Sequence, residues 1–269
     1  MKVYFPKIYG FCFGVKNAMD KALSKQKEKN KPIYILGDLI HNDDAIQYLK
    51  ENNVITINEI NNLKNETVII RTHGEPKETY DNLKNNEIYD LTCPFVKKIH
   101  NIVNEYYKKG YKIIILGEKN HPEIICINGW CNNEGEIINS KEDAKKYNNA
   151  CIVSQTTFVK EKFDELLPLI QGENCVVFNT ICNHTSLAQK SVVELSKHVD
   201  TMIIIGGKKS SNTKKLYNLA KENCKNTIII ENVKDLKIND LTGEKIGIGA
   251  GASTPDFIIK EVKEVIENL

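Results

Sequence analysis

The chain has 269 residues, 27% of them charged, with a formal net charge of +2. That length buries a sizeable core and allows more than one lobe, while the near-neutral balance gives no reason to expect nucleic acid. No apolar run approaches the ~18 residues of a membrane span, no secretory leader is recognisable, and the cysteines are too sparse for a disulfide scaffold, so a cytoplasmic protein with reduced thiols is expected.

YGFCFGV (9–15) sets Cys12 at the mouth of an expected strand-to-helix turn. Val15, Ala18, Met19, Ala22 and Leu23 follow as a helical stripe. KQKEKNK (25–31), like KKSSNTKK (208–215) further on, has no interleaved aromatic residues and is expected to coat solvated surface. Strands are predicted in IYILGDLIHN (33–42), VITI (54–57), TVIIRTHGE (67–75) and IYDLTCP (88–94). Arg71 is the only arginine, so bidentate guanidinium clamps are not the main anion-binding device. Pro94 suits a first helical position, with Val96, Ile99 and Val103 as the apolar stripe. YKIIILGEKNHPE (111–123), EIIN (136–139), CIVSQTT (151–157) and CVVFNTIC (175–182) continue the strand series. Asn183 is expected to cap a helix that turns Ala188, Val192 and Leu195 inward. TMIIIGGKKSSN (201–212), TIIIE (227–231) and KIGIGAGAST (245–254) complete it. Continuous apolar runs alternating with helices read as buried parallel strands of an α/β protein.

The pattern repeats three times. Cys12, Cys93 and Cys182 lie 81 and 89 residues apart, and strand-ending Gly37, Gly117 and Gly206 follow them at 25, 24 and 24 residues. A later turn in each segment holds His73, Thr156 and Ser253. Repeats of this length are one supersecondary unit used three times, giving small α/β lobes over 1–92, 93–181 and 182–269, the last with a C-terminal helix. No linker rich in Pro, Gly or Ser separates the lobes, so they are expected to share interfaces.

Each of the three matched cysteines falls where a strand's carboxyl end meets a helix amino terminus, a setting that favours the thiolate and where open α/β sheets bind ligands. A pseudo-threefold axis would bring the three together, and a cation or cluster would relieve their repulsion. Zinc with a fourth ligand and an iron–sulfur cluster with one open iron both suit three thiolates, and spacing does not separate them. Cys126, Cys131, Cys151, Cys175 and Cys224 lack counterparts in every lobe and are expected to be small core fillers. Other strand ends carry His41, His73 and His121, with Thr156 in QTT, Ser210, Ser211 and Asn212 in SSN, and Ser253 in GAS. Imidazoles, hydroxyls and helix starts together describe an anion site of the phosphate type. No GxxxxGK[ST] or GxGxxG motif is present. Glu123, two residues after His121, is the candidate proton donor.

GFCFGV, IHN, THG, LTCPFVKKIH, HPE, SQTT, NTIC, SSN and AGASTP resemble, in that order, the motifs of the 4-hydroxy-3-methylbut-2-enyl diphosphate reductases. The resemblance runs from residue 10 to about 256, essentially the whole chain. It implies a trefoil of three α/β lobes around a [4Fe–4S] cluster held by Cys12, Cys93 and Cys182. It also implies reductive dehydroxylation of the hydroxylated diphosphate to isopentenyl and dimethylallyl diphosphates, with electrons from an external ferredoxin or flavodoxin. The diphosphate would be gripped by His41, His73, His121, Ser210, Ser211, Asn212 and Ser253, with Thr156 and Glu123 at the substrate hydroxyl. A zinc hydrolase or lyase on the same cysteines, or a non-catalytic binding or redox-sensing module, are the competing readings. Phe13, Trp130, Gly207, Lys209 and the stretch NHTSLAQ (183–189) depart from the family pattern. Phe13 is expected to shield the cluster from solvent.

Overall fold

The structure, a computed structural model, describes residues 1–40, 42–60 and 63–269. Strand β1 spans Lys2–Tyr4. Strands β2 (Ile33–Leu36), β3 (Val54–Ile57), β4 (Thr67–Ile70) and β5 (Glu87–Asp90) form a first sheet in the order β3-β2-β4-β5. A second sheet takes β6 (Lys112–Leu116), β7 (Glu136–Ile138), β8 (Ala150–Ser154) and β9 (Val176–Val177) in the order β7-β6-β8-β9. The third contains β10 (Thr201–Ile205), β11 (Thr227–Ile230) and β12 (Lys245–Ala250), and is completed by β1 in the order β11-β10-β12-β1. Every pairing is parallel. The helices are α1 (Phe13–Lys29), α2 (Asp43–Glu51), α3 (Lys77–Asn82), α4 (Pro94–Lys108), α5 (Pro122–Gly129), α6 (Lys160–Ile170), α7 (Asn183–Ser196), α8 (Ser211–Lys221) and α9 (Asp256–Glu267).

The three sheets share one plan down to single hydrogen bonds. The N–H groups of Gly37, Gly117 and Gly206 donate to the carbonyls of Ile57, Ile138 and Ile230, the last residues of β3, β7 and β11. The fourth strand of each sheet, β5, β9 or β1, leads into Cys93, Cys182 or Cys12. Those cysteines then donate their N–H groups to Thr72, Thr156 and Ala252, just beyond β4, β8 and β12. The repeat read in the sequence is therefore a repeat of backbone pairing.

One expectation differs. Residues 2–4 were assigned to the first lobe, but Lys2 pairs with Lys245 and Tyr4 with Gly247, so they belong to the third sheet. The strand leading into each cysteine completes the sheet of the preceding repeat, and for Cys12 the preceding repeat is the third. By compactness the chain forms two units. One is Met1–Lys16, Ile40–Tyr48 and Asn183–Leu269, which holds the third sheet; the other is Asn17–Leu39 and Leu49–Cys182, which holds the first two.

Alternation along the central strands decides which helix each face receives. In the second sheet Ile114, Leu116 and Ile152 face Phe163, Leu166 and Ile170 of α6. Their neighbours Ile113, Ile115, Cys151 and Val153 face Ile99 and Val103 of α4 and Ile124 and Ile127 of α5. In the third sheet Met202 and Ile204 meet α7 and α8 through Val192, Leu216 and Ala220, while Ile203 and Ile205 meet α9 through Ile258, Val262 and Ile266. Both faces are thus buried, which is why these strands are continuous isoleucine-rich runs. Each such side chain contributes about 1.5–3 kcal/mol by its burial.

Candidate active site

Helix α5 carries the densest set of polar groups. HPE supplies its start: His121 is the N-cap, Pro122 occupies the first turn, and His121 Nδ1 accepts the Glu123 N–H at 3.1 Å. With Nδ1 accepting, the neutral ring carries its proton on Nε2. Glu123 is 2% exposed. Its carboxylate accepts the Thr156 N–H at 2.6 Å and the Thr156 hydroxyl at 2.7 Å. Thr156 is held in turn from behind. Gln155, fully buried, accepts the Glu118 N–H at 3.2 Å and donates to Thr157 Oγ1 at 2.9 Å. The Thr156 carbonyl receives the Cys182 N–H at 2.9 Å.

His73, on the loop after β4, joins this group: its ring stands edge-on to His121 with centroids 5.6 Å apart. The neighbouring Thr72 carbonyl takes the Cys93 N–H at 3.0 Å. Cys93 is the N-cap of α4, and Cys182 directly precedes α7. The second unit thereby assembles His73, His121, Glu123 and Thr156, with Cys93 and Cys182 on the same loops.

The first unit gathers the serines. Ser210 caps α8 and accepts the Thr213 N–H at 3.3 Å; Ser211 and Asn212 fill the buried first turn. Asn212 Oδ1 is buried without a hydrogen-bond partner. The loop holding Ser253 runs against this turn, because a Cβ on Gly251 would collide with Thr213 Oγ1. Cys12 donates to the Ala252 carbonyl at 3.3 Å, and its Sγ receives the Val15 N–H at 3.4 Å. A thiol at a helix start that already accepts a backbone N–H is arranged to carry negative charge.

His41 lies outside the described residues. Asn183 is the first residue of α7 rather than its cap. Phe13 is 75% exposed. None of the eight cysteines is in a disulfide. Among the core fillers, burial pushes Cys126 and Cys151 up to about 12 and Cys131 to about 11, which keeps them protonated and inert. Among the described residues no three His, Cys, Asp or Glu side chains are gathered for a single metal ion, and no helix is long and apolar enough to cross a membrane.

Sequence reasoning missed a group beside the site. Arg71 pairs with buried Glu75 at 2.9 Å, Trp130 Nε1 donates to the Glu75 carbonyl at 3.1 Å, and buried His100 stacks on Trp130 with centroids 5.3 Å apart. Burial raises the Glu75 carboxyl above its usual range, although the Arg71 charge opposes this. The signals for this group were Arg71, a lone arginine inside a strand-end motif, and Trp130, which departs from the family pattern.

Three matched parallel sheets, with polar side chains collected on loops at the strands' carboxyl ends, define an α/β enzyme. The family model described as LytB protein matches residues 3–267, and the chain belongs to that family. It is 46% identical over 281 residues to the 4-hydroxy-3-methylbut-2-enyl diphosphate reductase of Caldanaerobacter subterraneus subsp. tengcongensis, covering 100% of this chain and 98% of the relative. A Clostridium perfringens protein of the same name is 47% identical over 278 residues, covering 99% of each. Among solved structures, (E)-4-hydroxy-3-methyl-but-2-enyl diphosphate reductase, described as the terminal enzyme of the non-mevalonate pathway, aligns with a TM-score of 0.71 and 41% identity over 99% of both chains. The corresponding Plasmodium falciparum reductase aligns with a TM-score of 0.88 and 27% identity over 99% of this chain and 87% of that one.

Proposed function

We propose that the protein reduces 4-hydroxy-3-methylbut-2-enyl diphosphate to isopentenyl and dimethylallyl diphosphates, as its full-length relatives are named to do. The C–O bond breaks, two electrons and two protons enter, and the oxygen leaves as water. The observation that carries this reading is the buried Glu123 carboxylate gripping both polar hydrogens of Thr156. With Glu123 protonated, the Oε2–Oγ1 hydrogen bond would run the other way: Glu123 would donate to Thr156 Oγ1 while Thr156 gives its own hydroxyl proton to the departing allylic oxygen, leaving Glu123 as the carboxylate.

The donor chemistry suits an iron–sulfur cluster: three cysteines outside any disulfide, each entering a helix, each fixed by the same backbone bond to a neighbouring strand end. Cys12, Cys93 and Cys182 would hold a [4Fe–4S] cluster. When bound, the cluster would supply the electrons and the Lewis acidity for C–O cleavage. The remaining side chains bind and orient. By their motifs, His73, His121, Ser210, Ser211, Asn212 and Ser253 would bind the diphosphate, and the α8 amino terminus beside the serines favours negative charge. His41 is assigned to the same task by its motif. A cytoplasmic ferredoxin or flavodoxin would deliver the electrons.

Anaerobic turnover of the hydroxylated diphosphate with a strong reductant tests the reading. Product formation by a protein holding about four iron and four sulfide per chain is expected. Zinc in place of iron, or turnover without reductant, would overturn it.

A further inference from the structure

Glu123, Cys126 and Trp130 are spaced i, i+3, i+7 and therefore share one face at α5 and its C-cap. Glu123 holds Thr156, as described. The other two reach into the loop that carries His73. Cys126 Sγ donates to the Gly74 carbonyl at 3.0 Å, and Trp130 Nε1 donates to the adjacent Glu75 carbonyl at 3.1 Å. The two surfaces meet at backbone distance, since a Cβ on Gly129 would lie 2.5 Å from Pro76 Cβ.

The Trp130 ring is fixed independently of its N–H. His100 stacks on one side with an interplanar angle of 19°, and Tyr80 meets it edge-on with centroids 6.0 Å apart. On the loop itself, Glu75 is anchored by Arg71 at 2.9 Å, four residues back. An immobile indole thus presents one donor to one carbonyl, two residues beyond His73. We propose that Trp130 is a positioning residue for the diphosphate site: its indole N–H, seconded by Cys126, sets the His73 loop at a fixed distance from His121 and Glu123. One helix then indexes the anion-binding imidazole and the proton-donating carboxyl to each other.

The inference rests on the function proposed above, and two measurements separate them. Trp130→Phe keeps an aromatic ring for His100 and Tyr80 and deletes the donor, at the cost of some ring area. In the holoenzyme it is expected to speed amide exchange across residues 71–76, and to raise KM for 4-hydroxy-3-methylbut-2-enyl diphosphate about fivefold with kcat nearly unchanged. In a His73→Ala background the same change is expected to leave KM where His73→Ala alone puts it, because the two act through one contact. Equal KM factors in both backgrounds, or exchange unchanged in Trp130→Phe, would overturn the proposal. If Trp130→Phe lowers the thermal midpoint by more than a few degrees, Cys126→Ala makes the same comparison at the neighbouring carbonyl. A wild-type holoenzyme unable to turn over that diphosphate would refute the proposed function, while the exchange measurement would still decide whether the tether exists.

Discussion

Glu123 and Thr156 form a closed pair: one carboxylate takes both polar hydrogens of one threonine, at 2.6 and 2.7 Å, with Glu123 only 2% exposed. Glu123 and Thr156 stand at different strand ends, 33 residues apart in sequence. An amide in place of this carboxylate still accepts the Thr156 N–H and can donate to Thr156 Oγ1, but it has no proton to release. Glu123→Gln is expected to reduce kcat by about 10²-fold or more while iron content and substrate affinity stay near wild type. Steady-state kinetics beside an iron assay measure this, and wild-type turnover would remove Glu123 from the reaction.

Thr156→Val and Thr156→Ser separate the hydroxyl from the shape. Valine leaves one Glu123 oxygen buried without its donor, a loss of about 1–3 kcal/mol. Serine retains the donor and is expected to recover most of the stability and turnover. Paired thermal midpoints and kcat values decide it; equal behaviour of the two variants would contradict a role for the hydroxyl.

The eight cysteines should fall into two classes when each is replaced by serine or alanine under anaerobic purification. Cys12, Cys93 and Cys182 variants are expected to lose iron and sulfide. Cys131 and Cys151, buried thiols held protonated, are expected to keep both and to lose only packing energy. Iron loss in the second class, or full occupancy in the first, would reassign the ligands.

His100 gives the fold a pH dependence. It is 1% exposed, and burial pushes its imidazole down to about 4 from an ordinary 6.5. The unfolded chain therefore takes up a proton that the folded chain declines. Its contribution is full above pH 6.5 and is lost progressively as the pH falls to about 4, with no further loss below. The total is roughly 3 kcal/mol. His100→Phe should flatten the fall in thermal midpoint between pH 7 and pH 5; an unchanged slope would place the titrating group elsewhere.

Arg71 and Glu75 are the buried ion pair of the second unit, with side chains 18% and 7% exposed. Removing one partner strands the other. Arg71→Ala is expected to cost about 3–5 kcal/mol, and adding Glu75→Gln should return part of it. No recovery in the double variant would mean that Arg71 acts through packing instead.

Much of this was legible in the primary sequence because it is local and repeated. Isoleucine runs of four or five residues marked both-face burial, and the glycine after each first strand kept its spacing through three repeats. The cysteines could be singled out because each occupied the same step of that repeat. Strand β1 was missed for an opposite reason: three residues carry no periodicity of their own, and their partner β12 lies at 245–250. Trp130 could be marked as an oddity of the chain but given no task, since its carbonyl partner is 55 residues away.

The pairing of Lys2 with Lys245 also constrains synthesis. Strand β1 leaves the ribosome among the earliest residues here and must wait, unpaired, until β12 has emerged. The Cys12 turn, whose N–H bonds to Ala252, waits with it. The first two sheets close from neighbouring segments as they are made, so two of the three proposed cluster cysteines can be in place before the third. Loading of the proposed cluster would thereby be deferred until residues 245–252 have emerged, and a nascent chain stalled before residue 245 should hold no stable cluster.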